Sequence, residues 1–351
     1  MAPGNKKLGL VLGGSLPPEH LVPTAREAEE RGFDELWFSE DCFFTGGISA
    51  AAAALAATSR IQVGLGVASA MLRHPALLAM EVSTLGRAFP ARVAAGIGLG
   101  VPAWLRQVGR SPRSALGAMT ECVTAVRRLL SGERLDIAGE EFQFANVALA
   151  HPVTGPLPVY MGVSGPRMLQ LSGELADGTI LSVGGGVAYL TWAISQIEKG
   201  RAKAGRTSAH RVTAFALYAV DRDQQRAHDE VRAPLAFYKA AGGANAITDV
   251  EGISGALTAM IQRGGPDAVA REMPESWIER LSVSGTPQEC ARRIRALYEA
   301  GADSVALFPV SAGRTRELAR VTAEEVLPLL QLPDPAGSAG AREDPGKGGY
   351  R

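Results

Sequence analysis

Eight short runs of aliphatic and β-branched residues recur along this chain, separated by segments with helical apolar spacing. They fall at 7–13, 34–39, 61–67, 92–97, 157–161, 178–183, 211–220 and 304–308. Strands alternating with helices imply a parallel sheet, because each helix must carry the chain back before the next strand begins. Eight repeats predict an α/β fold whose sheet closes, a (β/α)8 TIM barrel with insertions. A doubly wound open sheet is the runner-up. It is disfavoured because no GxGxxG opens a helix after the first run; the stretch 96–100, GIGLG, is only GxGxG.

Two segments break the alternation. Near 132–150, two β-like runs flank Ala138-Gly139 and read as an inserted hairpin. Near 241–280 the chain is rich in Gly and small residues, and reads as helical pieces forming part of a lid. A single barrel domain over 1–331 accommodates both, and 332–351, made of Pro, Gly and charge, reads as a disordered tail.

The third unit, IQVGLGVASAMLRHP over 61–75, carries the most information. Ile61, Val63, Leu65 and Val67 alternate with small residues, as in a strand buried inside a barrel. Ala68, Ser69 and Ala70 then replace the bulky residues, and a flat ring could lie against them. Pro75 suits the first turn of the following helix, and His74 beside it reads as a helix-start residue rather than a catalyst.

Composition excludes several functions. Lys plus Arg and Asp plus Glu are each 36, so no basic excess is present to neutralise nucleic-acid phosphates. Cys42, Cys122 and Cys290 are far apart and odd in number, which argues against a disulfide framework. The uncharged stretch 42–59 is Ala-, Gly- and Ser-rich and a poor membrane span, and the start reads as a strand rather than a signal peptide. A soluble cytoplasmic protein is expected. No HxxxH or HExxH supports a metal site, and no GxSxG supports acyl hydrolysis.

In a barrel the site lies where the strands end. That rule selects 13–15, 39–44, 67–73, 98–104, 162–165 and 183–186. Among them are the acids Glu40 and Asp41 and the aromatics Phe43, Phe44 and Trp104. Gly162-Val163-Ser164-Gly165-Pro166 follows a strand and opens a helix. Backbone N–H groups and the helix dipole would face an anion there, and small residues would let a phosphate approach. An anion site, a small-residue platform and two loop acids together suggest a planar, phosphate-bearing cofactor, a flavin or a deazaflavin.

Four stretches carry a resemblance to the bacterial luciferase-like family, and within it to the coenzyme F-420-dependent reductases. They are GFDELWFSED (32–41), GLGVASAMLRHPALLAME (64–81), RVAAGIGLG (92–100) and PVYMGVSGPRMLQLSGELADGTIL (158–181). The C-terminal half is similar more loosely, through GTPQECARRIRALYEAGADSVAL (285–307). The resemblance implies a barrel with the cofactor at its C-terminal mouth. It implies that Gly162, Val163, Ser164 and Gly165 hold the phosphate, and that a cis Gly66–Val67 peptide in a bulge, with Ala68 and Ser69, backs the ring. Gly13, Gly98 and Glu40 complete the expected cofactor contacts. Glu40 matches a family acid near the ring, and Asp41 stands where some members place a proton-transferring histidine. Val101 and Trp104 replace the glutamate and asparagine of sugar-phosphate-oxidising members, which argues against glucose 6-phosphate as substrate.

A deazaflavin moves hydride and does not activate oxygen, so its reacting face needs a dry pocket. Phe43, Phe44, Met71, Val101 and Trp104 are the expected walls, and Glu40 and Asp41 the candidate catalytic acids. The expected reaction is hydride transfer to an activated C=C or C=N bond of a small organic substrate, in a homodimer. An FMN-dependent monooxygenase fed by a partner reductase is one alternative, and a non-catalytic ligand-binding barrel another.

Overall fold

The computed structural model describes residues 6–331. The expected disordered tail lies outside them. In chain order the strands are β1 (Lys7–Leu12), β2 (Glu35–Phe38), β3 (Gln62–Ser69), β4 (Val93–Gly98), β5 (Leu135–Ala138), β6 (Gln143–Val147), β7 (Val159–Gly162), β8 (Gly178–Leu181), β9 (Arg211–Val220), β10 (Val283–Gly285) and β11 (Ser304–Pro309). The parallel order β9-β11-β1-β2-β3-β4-β7-β8 closes through a β8–β9 pairing, so eight strands form the predicted barrel. β5 and β6 pair antiparallel, as the inserted hairpin predicted.

β10 is a finding the sequence pattern did not supply. Its three residues pair with the far end of β9, beyond the length that β11 covers. Three residues are too few to display a period of two. The insertion near 241–280 is helical as expected, with Ala246–Val250, Ser254–Glu272 and Glu275–Leu281 and a kink at Gly264 and Gly265, and it follows helix Gln224–Gly242. The long helix before the hairpin, Ala115–Leu130, is capped by Ser114, whose hydroxyl accepts from the Gly117 N–H. The loop before it contains a short helix, Pro102–Gln107.

The barrel interior is filled unevenly. Trp37, Tyr160 and Phe215 meet edge to face at its centre, with ring centroids 5.6 and 5.8 Å from Trp37. The neighbouring strands supply glycines because these rings take their space: a Cβ on Gly64 would lie 2.3 Å from Trp37, and one on Gly178 2.3 Å from Tyr160.

The end where the strands begin is sealed. Buried Glu35 accepts from the Trp37 indole (3.1 Å) and the Ser304 hydroxyl (2.8 Å), and lies 3.2 Å from the Lys7 ammonium. A charge held by this many partners is tolerable inside a protein, and it plugs the barrel floor. The other end, where the strands finish, is the barrel mouth.

Candidate active site at the barrel mouth

β3 reaches the mouth through an irregularity. Its register against β4 shifts between Leu65 and Ala68, and the Gly66–Val67 peptide is cis, both as expected. A second cis peptide, Cys42–Phe43, lies on the β2 loop. The bulge turns Val67 inward. Its methyl groups fill the space that a Cβ on Gly98 (2.5 Å) or Gly162 (2.6 Å) would need. Gly66 and Gly13 likewise face Phe215 and Phe308. Packing therefore explains several of the glycines singled out as cofactor contacts.

Ala68 and Ser69 do not form the open platform that their size suggests. Ala68 is buried in the layer between sheet and helices. The Ser69 hydroxyl donates to the Leu99 carbonyl (2.9 Å) and accepts from the Met71 N–H (3.3 Å), tying two loops together. What reaches the mouth at this strand is the half-buried Gly66–Val67 unit.

The two acids differ. Glu40 forms a bidentate pair with Arg73 at 2.5 and 2.7 Å, and also accepts from Gly47 N–H, the first residue of helix Gly47–Ala57. Its carboxylate is fully engaged as a charged group and a helix anchor. Asp41 receives one hydrogen bond, from the Ser39 hydroxyl at 3.0 Å. Burial pushes its carboxyl above the usual 3.8, the Ser39 bond opposes this, and the neighbouring Glu40 charge adds to it. Asp41, not Glu40, has the environment of a proton-handling group. The Tyr238 hydroxyl, pushed up to about 12 mainly by burial, also feels the Asp41 charge. Helix Gln224–Gly242, which carries Tyr238, therefore lies within electrostatic reach of Asp41, which no motif in the sequence signalled.

Of the expected walls, Phe43 and Phe44 are 65% and 62% exposed, and Val101 is exposed beside half-buried Trp104. Met71 is packed into the core and does not line the mouth. Phe237 and Tyr238 add a second exposed aromatic pair, 5.7 Å apart, on helix Gln224–Gly242. His74 caps helix Pro75–Ala88: its Nδ1 accepts from the Ala76 N–H (3.2 Å), and Nε2 lies 3.1 Å from the Gln143 carbonyl. Its role is structural, as its position beside Pro75 suggested.

After β7 the chain opens helix Pro166–Leu175 through Gly162–Gly165. Val163 N–H donates to the Ile180 carbonyl at 3.3 Å. Among the described residues, neither the Ser164 nor the Gly165 N–H donates to a protein acceptor. A Cβ on Gly165 would meet nothing within 4 Å, so the turn is open to a ligand. These donors, at the positive end of a ten-residue helix, fit a phosphate.

No helix among the described residues is long and apolar enough to cross a membrane, and no group of three or more His, Cys, Asp or Glu is placed to hold a metal. All three cysteines are free. A groove lined by Arg127, Thr154 and Asp177 lies at the opposite end, where Arg127 is already paired with Asp177 at 2.5 Å.

A closed barrel, a bulged third strand and an open turn with two unpartnered N–H groups at its mouth define a (β/α)8 protein. The luciferase-like monooxygenase family profile matches residues 5–304, and the chain belongs to that family. It is 30% identical over 315 residues to a 5,10-methylenetetrahydromethanopterin reductase of Archaeoglobus fulgidus, covering 87% of this chain and 93% of that one. It is 30% identical over 331 residues to an F-420-dependent glucose-6-phosphate dehydrogenase of Beutenbergia cavernae, covering 90% and 94%. Among solved structures, the coenzyme F-420-dependent tetrahydromethanopterin reductase of Methanopyrus kandleri superposes with a TM-score of 0.80 at 22% identity, over 93% of this chain and all of that one.

Proposed function

We propose that this protein is a cytoplasmic, F-420-dependent oxidoreductase that exchanges hydride with an activated C=C or C=N bond of a small organic substrate. The observation that carries the reading is the pair of N–H donors, Ser164 and Gly165, left without protein acceptors at the N-terminus of helix Pro166–Leu175. The names of its relatives support the cofactor. When bound, a deazaflavin would supply hydride from its carbon 5.

The chain's own residues supply the rest. Ser164 and Gly165 hold the phosphate through backbone N–H groups. The Gly66–Val67 unit and Val67 methyls back the ring. Phe43, Phe44, Val101 and Trp104 border the mouth and exclude water when substrate enters. Asp41, with its raised carboxyl and Ser39 partner, holds the proton that accompanies hydride delivery. Glu40 keeps Arg73 and the Gly47–Ala57 helix in place around it. The working unit on this reading is a homodimer, with exposed Leu77 and Met80 on one face of helix Pro75–Ala88 available to a second copy; sedimentation velocity tests this.

Titration of the purified protein with F-420 and with FMN tests the cofactor. F-420 is expected to bind at about micromolar concentration and FMN at least tenfold more weakly. Reoxidation of bound reduced F-420 by an activated alkene or imine, without oxygen uptake, is the expected turnover. Tight FMN binding with oxygen consumption would replace this reading with a monooxygenase. Binding of neither cofactor would leave a ligand-binding barrel.

A further inference from the structure

β8 ends in a turn of three glycines, Gly184-Gly185-Gly186, that opens the seventeen-residue helix Val187–Lys203. The helical insertion and helix Gln224–Gly242 before it hold this turn by two opposite charges, Glu251 from the first and Lys239 from the second. Glu251, 6% exposed, accepts the Gly186 N–H at 2.9 Å and the Tyr189 N–H at 3.1 Å. Lys239, 4% exposed, donates its ammonium to the Gly184 carbonyl at 2.6 Å. Burial lowers the Lys239 ammonium to about 8, against the opposing effect of Glu251. A Cβ on Gly184 would lie 2.7 Å from the Lys239 Nζ, and one on Gly186 2.9 Å from the Glu251 Oε1. Gly184, whose φ is +80°, and Gly186 leave room for these charged groups, while Gly185 leaves room for the Tyr189 ring.

The contact continues to the neighbouring turn. Tyr189, 1% exposed, sits in the first turn of the helix that Glu251 caps. Its hydroxyl donates to the Ser164 carbonyl at 2.7 Å. Ser164 is one of the two residues of the Gly162–Gly165 turn whose N–H has no protein acceptor. One route of hydrogen bonds thus runs from the insertion (Glu251) through Tyr189 to the proposed phosphate turn.

We propose that Glu251 and Lys239 form a two-point latch on Gly184–Gly186 which, through the Tyr189 hydroxyl, positions Ser164, so that a seated insertion is required for tight phosphate binding. This rests on the assignment of the cofactor phosphate to Ser164 and Gly165. Glu251, Lys239 and Tyr189 are positioning residues: they touch no cofactor atom. The latch differs from ordinary packing because it acts on one part of the ligand only. Losing it should weaken the phosphate contact and leave the ring contact unchanged.

The test compares F-420 with its phosphate-free chromophore, 8-hydroxy-5-deazariboflavin, by fluorescence titration of the full chain. Tyr189→Phe removes only the hydroxyl, and Glu251→Gln removes only the charge. Each is expected to weaken F-420 by about three- to tenfold, the equivalent of one hydrogen bond, and to leave the chromophore's affinity within about twofold of wild type. Equal weakening of both ligands would overturn the proposal in favour of a general structural role. Unchanged affinity for both in the two folded variants would overturn it outright. If the wild-type chain binds the two ligands equally, the phosphate assignment beneath the proposal fails, whatever the variants do.

Discussion

Two adjacent glycine-rich turns close neighbouring strands of this barrel, and they have opposite fates. Gly162–Gly165, after β7, leaves the Ser164 and Gly165 N–H groups without protein acceptors and has open space over Gly165. Gly184–Gly186, after β8, has its Gly186 N–H, together with the Tyr189 N–H of the helix that follows, taken by the Glu251 carboxylate, and its Gly184 carbonyl taken by Lys239. Both precede a helix, so both stand at a positive dipole end. On the proposed reading, the difference is that the first turn keeps donors for a ligand, while the second gives the N–H that ends it to a carboxylate of the protein. Here an internal carboxylate occupies the second position that an anion could have taken.

The sharpest way to break this comparison is the same substitution in both turns. Gly186→Ala sets a methyl 2.8 Å from the Arg280 carbonyl and 2.9 Å from Glu251, although the Gly186 backbone angles (φ −95°, ψ −168°) suit any residue. It should cost about 1–3 kcal/mol of stability, read as a lower urea midpoint. Gly165→Ala meets no neighbour and should stay within about 0.5 kcal/mol of wild type. Equal destabilisation by the two would erase the distinction.

Ser164→Asp is the next largest test. A carboxylate beside the proposed phosphate should weaken F-420 by about tenfold or more, because two like charges in contact cost at least about 1 kcal/mol even in water. Fold stability should be near that of wild type, since Ser164 is only half-buried.

The smallest expected effect separates the two acids. Asp41's carboxyl is raised above 3.8, chiefly by burial. Its folded form therefore binds a proton more tightly than the unfolded chain, and stability falls as pH rises from the unfolded value through the folded one. If the protonated form donates in turnover, activity is full below the folded pKa and declines as pH passes it. Asp41→Asn should remove that limb and leave neutral-pH stability equal or slightly higher. Glu40→Gln should instead lower stability, because it leaves Arg73 without its bidentate partner. A pH limb that follows Glu40 rather than Asp41 would reverse the assignment.

The barrel was legible because eight strand-helix alternations repeat, and periodicity survives in a single sequence. The bulge at Gly66–Val67 was legible through the family resemblance, and the open turn at Ser164 through its small residues and Pro166. The glycines were harder to interpret. Gly13, Gly66, Gly98 and Gly162 stand beside Phe308, Phe215 and Val67, so their smallness serves barrel packing, and local sequence cannot tell that from ligand approach. Ala68, Ser69 and Met71 were misplaced because the bulge changes which side chains face inward, a shift that simple alternation does not encode. Glu251, Lys239 and Tyr238 were invisible. Glu251 comes from the insertion and Lys239 and Tyr238 from the helix before it, far along the chain from the groups they act on, and only the tertiary fold brings them there.

The most direct measurement is a crystal structure of the chain with F-420 bound. The account predicts the phosphate within hydrogen-bond distance of the Ser164 and Gly165 N–H groups, with Glu251 still on Gly186 and Tyr189. A phosphate seated on the Gly184–Gly186 turn with Glu251 displaced would contradict it.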